Sequence, residues 1–164
     1  MKIKYKAAVI TVSDKGYSGE REDKSGPLLK KGLEELDFDV SDVLIVPDER
    51  DQISAILLKL SQSGEIDLII TTGGTGAAAR DITPEATMDI VNRPMPGLAE
   101  LLRYEGKKIT NRAVLSRGVS GICRETLIIN LAGSPKAVVE GIEILAPVLL
   151  HAITMLKGVN LEHK

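Results

Sequence analysis

The chain has 164 residues, 43% hydrophobic and 27% charged, which suits one aliphatic core and excludes a disordered, collagen-like or mucin-like polypeptide. A formal net charge of −2, with three Tyr, one Phe and no Trp, argues against a nucleic-acid binder, which needs a basic excess or stacking aromatics. The single Cys123 allows neither an internal disulfide nor a cysteine-based zinc site, so a cytoplasmic location is the default.

Ala7 to Val12 is a continuous apolar run ending in Ser13-Asp14-Lys15-Gly16, which reads as a strand buried on both faces followed by a loop. A helix is expected from about Ser25, with Pro27 in its first turn and Leu28, Leu29, Leu33 and Leu36 on its apolar face. Phe38 to Val46 reads as a second strand. After Pro47-Asp48-Glu49, the spacing of Ile53, Ile56, Leu57 and Leu60 is that of an amphipathic helix. Ile66 to Thr72 reads as a third buried strand, and Gly73 to Ile82 as a loop. Thr83-Pro84-Glu85 has the form of an N-cap, a proline at the first helical position and an acid in the first turn, opening a short helix through Val91. A further helix is expected from Pro96 to about Lys107. Ala113 to Leu115 and Thr126 to Leu131 read as strands. Gly133-Ser134-Pro135 then opens a long final helix that Pro147 should kink or split. The tail after Gly158 is polar and expected to fray. No apolar run approaches the roughly 18 residues of a membrane span, and the N-terminus lacks the apolar stretch of a secretory signal.

Strands alternate with helices throughout, which predicts a three-layer α/β/α sandwich around a mostly parallel sheet. Residues 1–164 form a single expected domain with its core at about 6–157. In such a sheet, ligands bind beyond the carboxyl ends of the strands. Four loops lie at such ends: Ser13–Gly16, Pro47–Glu49, Gly73–Asp81 and Ala132–Lys136.

Gly73-Gly74-Thr75-Gly76 can bring backbone N–H groups close to an anion, or simply make a tight turn. It is no Walker A loop, since no Gly-Lys-Ser/Thr follows. Asp81 suits a hard cation such as Mg²⁺, or complements the dipole of the next helix. Asp48 has the position of an ordinary N-cap. Gly133, Ser134, Pro135 and Lys136 suit a phosphate at a helix N-terminus, although capping by Ser134 explains the same residues. Arg117 offers a planar fork to a phosphate or joins a surface ion pair. His151 reads as a packed or interfacial residue. No Ser/His/Asp or Cys/His arrangement is evident.

In chain order, the sequence carries Thr11-Val12-Ser13-Asp14, then Gly73-Gly74-Thr75-Gly76 with Arg80-Asp81-Ile82-Thr83-Pro84-Glu85-Ala86-Thr87. Pro96-Gly97, Leu115-Ser116-Arg117 and Leu127 to Lys136 follow. These segments resemble the MogA/MoaB family of molybdenum-cofactor biosynthesis, which includes the gephyrin G domain, over nearly the whole chain. The resemblance implies a molybdopterin adenylyltransferase that transfers AMP from Mg-ATP to the terminal phosphate of molybdopterin and releases pyrophosphate. By matching position, Asp48 and Asp81 look like the family's two functional carboxylates, which position Mg²⁺ and the reacting phosphates. Gly73, Gly74, Thr75 and Gly76 resemble its phosphate cradle. Ser13, Ser116, Asn130 and the Gly133-Ser134-Pro135-Lys136 turn resemble the rest of the pocket wall. The family's usual homotrimer, with hexamers in some MoaB-like members, and a downstream molybdenum-insertion protein are the partners it implies. Nucleic acid and membrane are not among them. Many relatives carry Pro-Gly-Asn/Gln-Pro where this chain has Ala132-Gly133-Ser134-Pro135, so an Asn-specific contact is not expected here. A MoaB-like member with weak or no catalysis, and a non-enzymatic binder of molybdopterin or nucleotide, are the alternatives. The presence of both carboxylates favours the enzyme.

Overall fold

A computed structural model describes residues 3–159; the expected fraying of the tail falls mostly on residues outside that range. Seven strands form one sheet in the order β2-β1-β4-β7-β6-β5, with β3 also pairing β1. They are β1 (Lys6–Val12), β2 (Asp39–Val40), β3 (Leu44–Val46), β4 (Leu68–Thr72), β5 (Arg93–Pro94), β6 (Ser120–Cys123) and β7 (Thr126–Leu131). The helices are α1 (Asp14–Ser18), α2 (Ser25–Glu35), α3 (Arg50–Gln62), α4 (Thr83–Met88), α5 (Pro96–Lys107) and α6 (Pro135–Leu156). Strands β1 to β4 and β7 run parallel, whereas β6 is antiparallel to β7 and β5 to β6.

The predicted sandwich is present because the central strands are apolar on both sides. Alternate residues of a strand point to opposite faces. Ala7 and Val9 of β1, Leu68 and Ile70 of β4, and Leu127 and Ile129 of β7 pack beneath α2, α5 and α6. Ala8 and Ile10, Ile69, and Ile128 pack on the other side against Ile53 and Leu57 of α3 and Ala86 of α4. With both faces covered, a strand shows a continuous apolar run rather than an alternating one.

Several boundaries differ from expectation. The segment 38–46 is two short strands rather than one. Val43 packs inward against the core, beside Gly26, and interrupts pairing along β1. Ala113–Leu115 is no strand but part of a 3₁₀ helix, Asn111–Leu115, capped by the Thr110 hydroxyl, which accepts the Arg112 N–H. It has no sheet neighbour, and Val114 and Leu115 stay exposed. The strand of this region is β6, which carried no sequence signal. The helix from Thr83 ends at Met88, and Thr83 does not cap it; its hydroxyl donates to the Gly73 carbonyl at 3.0 Å. Pro147 does not split α6, which runs unbroken over 22 residues. By length and composition α6 is also apolar enough to cross a membrane, contrary to the sequence reading. Its Val138, Ile142, Leu145, Leu149 and Ile153 nevertheless pack into the core of the sandwich. His151 is exposed.

At the end of the sheet away from the four loops, Lys157 Nζ lies 2.9 Å from Asp67 Oδ1, while Asp67 Oδ2 accepts the Lys6 N–H at 2.8 Å. This ties the end of α6 to β1. The hydrogen bond to Asp67 raises the Lys157 pKa above its ordinary 10.5. A cation with a raised folded pKa stabilises the fold fully below its unfolded pKa and loses that contribution as pH climbs through the folded value. We expect Lys157→Met to cost about 1–3 kcal/mol at neutral pH, between the exposed and buried limits for ion pairs. In denaturant titrations the gap to wild type should close well above pH 10.5.

Candidate functional site

The carboxyl ends of β1, β3, β4 and β7 form one rim, and the four loops converge there. Register explains this: Thr11 pairs with Thr72 and Ile45, and Thr72 pairs with Leu131, so the central strands finish level. The loops then interlock through backbone. Gly73 donates its N–H to the Leu131 carbonyl at 3.0 Å. A Cβ on Gly73 would sit 2.2 Å from the Val12 carbonyl oxygen, and its φ of +104° is a region that side chains rarely adopt. A Cβ on Gly133 would sit 3.0 Å from the Gly73 Cα.

Two adjoining hollows open on this rim. One, of about 870 Å³, is lined by Ser13, Asp48, Gly73, Gly74, Asp81, Gly133, Ser134 and Pro135, with the segment Glu20–Ser25 opposite. The other, of about 810 Å³, is lined by Gly74, Thr75, Gly76, Asp81, Ser116, Asn130, Gly133, Ser134 and Lys136. Arg103, Arg112, Leu102 and Leu115 are among the other residues that line it. Every site residue that the family resemblance implies therefore lines at least one hollow, whereas Arg117 lines neither. Gly74, Asp81, Gly133 and Ser134 belong to both and mark where they join.

Asp48 and Asp81 share the first hollow. Asp48 is not an N-cap: Glu49 holds that position in α3, without a side-chain cap. Instead Asp48 Oδ2 accepts the Asp14 N–H at 2.9 Å, and Asp14 Oδ1 accepts the Asp48 N–H at 3.0 Å. Partial burial pushes the Asp48 pKa up, opposed by the Asp14 N–H and reinforced by the nearby charges of Asp14 and Asp81. Asp81 Oδ2 accepts the Ala78 N–H at 2.9 Å, which folds the carboxylate back over its own loop. The loop carries a glycine beside each acid. A Cβ on Gly74 would collide with Thr83 Oγ1 at 2.2 Å and meet Asp48 Oδ1 at 3.2 Å, and one on Gly76 would meet Asp81 Oδ2 at 2.8 Å. Carboxylate oxygens lining one hollow are donors of the kind a hard cation takes. Among the described residues no group of three or more His, Cys, Asp or Glu could cage a metal. Two carboxylates with room for substrate oxygens and water match the way Mg²⁺ is commonly held, and they do not match zinc.

Arg117, read from sequence as a phosphate ligand or an ion-pair partner, is committed to protein. Its Nε donates to the Gly76 carbonyl at 2.8 Å and its Nη2 to the Asp81 carbonyl at 2.6 Å, while Nη1 pairs with Glu85. It thereby fastens both ends of the Gly76–Asp81 segment. Arg103 likewise donates to the Ser116 and Gly118 carbonyls at 3.2 and 2.7 Å. Asn130 lies at the cavity wall but is almost wholly buried. Its amide donates to Thr71 Oγ1 and Thr87 Oγ1, and its Oδ1 accepts the Val119 N–H. Ser13 caps α1 through the Gly16 N–H, and Ser134 caps α6 through the Ala137 N–H, so the capping role of Ser134 holds.

A family profile described as a probable molybdopterin binding domain matches residues 8–151. The chain belongs to the MogA/MoaB family. It is 40% identical over 155 residues to the molybdopterin adenylyltransferase of Helicobacter pylori strain J99, covering 92% of this chain and 86% of that one. Among solved structures, it resembles the molybdopterin biosynthesis enzyme MoaB of Thermus thermophilus, with 45% identity, a TM-score of 0.89, and 94% and 97% of the two chains covered. It also resembles a molybdopterin biosynthesis protein of Mycobacterium abscessus, with 36% identity, a TM-score of 0.90, and 96% and 99% covered. The resemblance read from the motifs is therefore correct at the level of family. The sequence did not single out Arg103, which lies in none of the quoted motifs, nor the partnership of Asp14 with Arg80, whose signal was confined to membership of the Thr11–Asp14 and Arg80–Thr87 motifs.

The Asp48 shift gives a signed expectation for this MogA/MoaB chain. An acid with a raised folded pKa stabilises the fold fully below its unfolded value, 3.8, and loses that contribution as pH rises through the folded value. Asn keeps an acceptor for the Asp14 N–H without the charge. In metal-free thermal melts, Asp48→Asn should therefore compare more favourably with wild type at pH 7 than at pH 4.

Proposed function

We propose that this protein is a molybdopterin adenylyltransferase that uses ATP and Mg²⁺, with Asp48 and Asp81 as its working carboxylates. The observation that carries this reading is the junction of the two hollows at Gly74, Asp81, Gly133 and Ser134, with Asp48 facing it from one side. Two anionic reactants need separate seats and a common meeting point, and this arrangement offers both.

In the reaction, an oxygen of the terminal phosphate of molybdopterin attacks the α-phosphorus of ATP. The bond from that phosphorus to the bridging oxygen breaks, and pyrophosphate leaves with the electron pair. The nucleophile is already ionised at neutral pH, so neither a protein nucleophile nor a general base is required. What opposes the step is repulsion between negative charges, and what relieves it is positioning and fixed positive potential. Backbone N–H groups of Gly74, Thr75 and Gly76 supply part of that potential, while Gly73, whose N–H is held by the Leu131 carbonyl, sets the turn that presents them. The N-terminus of α6 at Gly133, Ser134, Pro135 and Lys136 supplies more. Asp48 and Asp81 would hold Mg²⁺, which when bound offsets phosphate charge. Ser13, Ser116 and Asn130 form the wall; Asn130 acts by shape, since its polar atoms are engaged with protein partners.

A second reading is a MoaB-like chain that binds molybdopterin or nucleotide with weak or no turnover; the 45% identity to the Thermus protein, itself named a molybdopterin biosynthesis enzyme, supports the MoaB likeness and not the loss of turnover. The presence of both acids favours the enzyme. We further read residues 1–164 as one cytoplasmic domain, α6 as a core helix rather than a membrane span, and a molybdenum-insertion protein as the consumer of the product. We read the assembly as a homotrimer. Val139, Val148, Leu150 and Met155 of α6 are exposed and apolar, as an interface between copies would require. Light scattering should give three times the chain mass of 17.6 kDa.

The deciding assay incubates the protein with molybdopterin, Mg²⁺ and labelled ATP and follows adenylylated product. Asp81→Asn should lower turnover about 100-fold or more while molybdopterin binding stays within about threefold. Unchanged turnover would reject the role of Asp81. Asp48→Asn should lose rate out of proportion to any change in melting temperature, and wild-type protein that binds molybdopterin but forms no product would establish the second reading.

A further inference from the structure

Asp48 is oriented by a residue far from it in sequence. The reciprocal pair of bonds with Asp14 joins the loop after β1 to the turn after β3 and fixes both carboxylates. Asp14 is gripped in turn by Arg80. Nε of the guanidinium donates to Oδ2 at 2.7 Å and Nη2 to Oδ1 at 3.0 Å, and the same Nη2 reaches Glu49 Oε1 at 2.8 Å. Arg80 immediately precedes Asp81. A continuous chain of hydrogen bonds and one peptide link therefore runs from Asp48 through Asp14 and Arg80 to Asp81.

Neither Asp14 nor Arg80 lines either hollow. Both are substantially solvent-exposed, at 42% and 57% of their side chains. Ion pairs so exposed add little to stability, so this pair is poorly explained as support for the fold. The bidentate fork, however, fixes direction and distance as a point charge does not. The part it fixes is the loop that carries Asp81, against the turn that carries Asp48.

We propose that Arg80 and Asp14 form a latch that sets the spacing of the two acids, acting as positioning residues rather than as ligands of substrate. The proposal rests on the reading of Asp48 and Asp81 as the working pair. A displacement of about 1 Å in such a pair can cost on the order of 100-fold in rate, whereas the exposed latch itself contributes little to melting.

The test is a double-mutant cycle on the full chain. Arg80→Gln and Asp14→Asn should each lower kcat about 30- to 100-fold, with KM for ATP within about threefold and the melting temperature within about 4 °C. The double variant should be no worse than the poorer single one, because both changes open the same latch. Arg80→Lys keeps the charge without the fork and should stay as slow as Arg80→Gln. Arg50→Gln breaks a comparably exposed bidentate pair with Asp89, outside both hollows, and should leave turnover unchanged. Additive losses, a raised KM for ATP, recovery in Arg80→Lys or an equal loss in Arg50→Gln would overturn the latch. Amide hydrogen exchange over residues 73–82, measured without substrate, provides a readout independent of turnover. Exchange should quicken about tenfold in Arg80→Gln and in Asp14→Asn alike, and protection unchanged from wild type in either would overturn the proposal. If wild-type protein forms no adenylylated product, the functional reading fails on that assay while exchange still decides the latch.

Discussion

The close approach of backbone to backbone at Gly73 is the constraint on which the site depends. Its Cα sits where any side chain would collide with the Val12 carbonyl, and its N–H is committed to Leu131. Three loops, from β1, β4 and β7, are thus drawn together at main-chain distance. Beside this contact, Asp48 on the turn after β3 and Asp81 on the loop after β4 line a single hollow. Thr83 reinforces the arrangement by spending its hydroxyl on the Gly73 carbonyl rather than on a helix cap.

The elements legible in the sequence are those whose identity follows from short-range pattern. β1, β4 and β7 are long apolar runs because helices cover both faces, and α3 shows its apolar spacing plainly. β6 was illegible because Ser-Gly-Ile-Cys has little strand propensity; its place comes from pairing with β7 across a turn in which Arg124 adopts a φ of 56°. Ala113–Leu115 misled in the opposite way. Its residues suit a strand, but the sheet offers it no neighbour, and local bonds to Thr110 win.

The candidate site divides along the same line. Glycines after a strand and an acid before a helix are local features, so Gly73, Gly74, Gly76 and Asp81 stood out. The partners that orient them lie far along the chain: Asp14 and Asp48 are 34 residues apart, Asp14 and Arg80 are 66 apart, and Arg117 reaches back 41 residues to Gly76. No spacing rule reveals such pairs. For this reason the sequence left Asp48 as a possible cap and Arg117 as a possible phosphate ligand, whereas the folded chain gives Asp48 to Asp14 and Arg117 to carbonyl groups.

Charge explains why these arginines face protein. Asp14, Asp48, Glu49 and Asp81 crowd one side of the rim, and an acid-rich hollow repels phosphates unless a cation enters with them. Arg80 neutralises the outer acids, Asp14 and Glu49, and holds the Asp14 pKa below the ordinary carboxylate range. It leaves Asp48 and Asp81 without an arginine in direct contact with their carboxylates. Had Arg80 paired with either inner acid, the negative charge on which the proposed reading relies would be neutralised by the protein itself. The distribution of ion pairs therefore does more than support loops: it leaves the two carboxylates that line one hollow, Asp48 and Asp81, without a paired cation, which is the condition the proposed function requires of them.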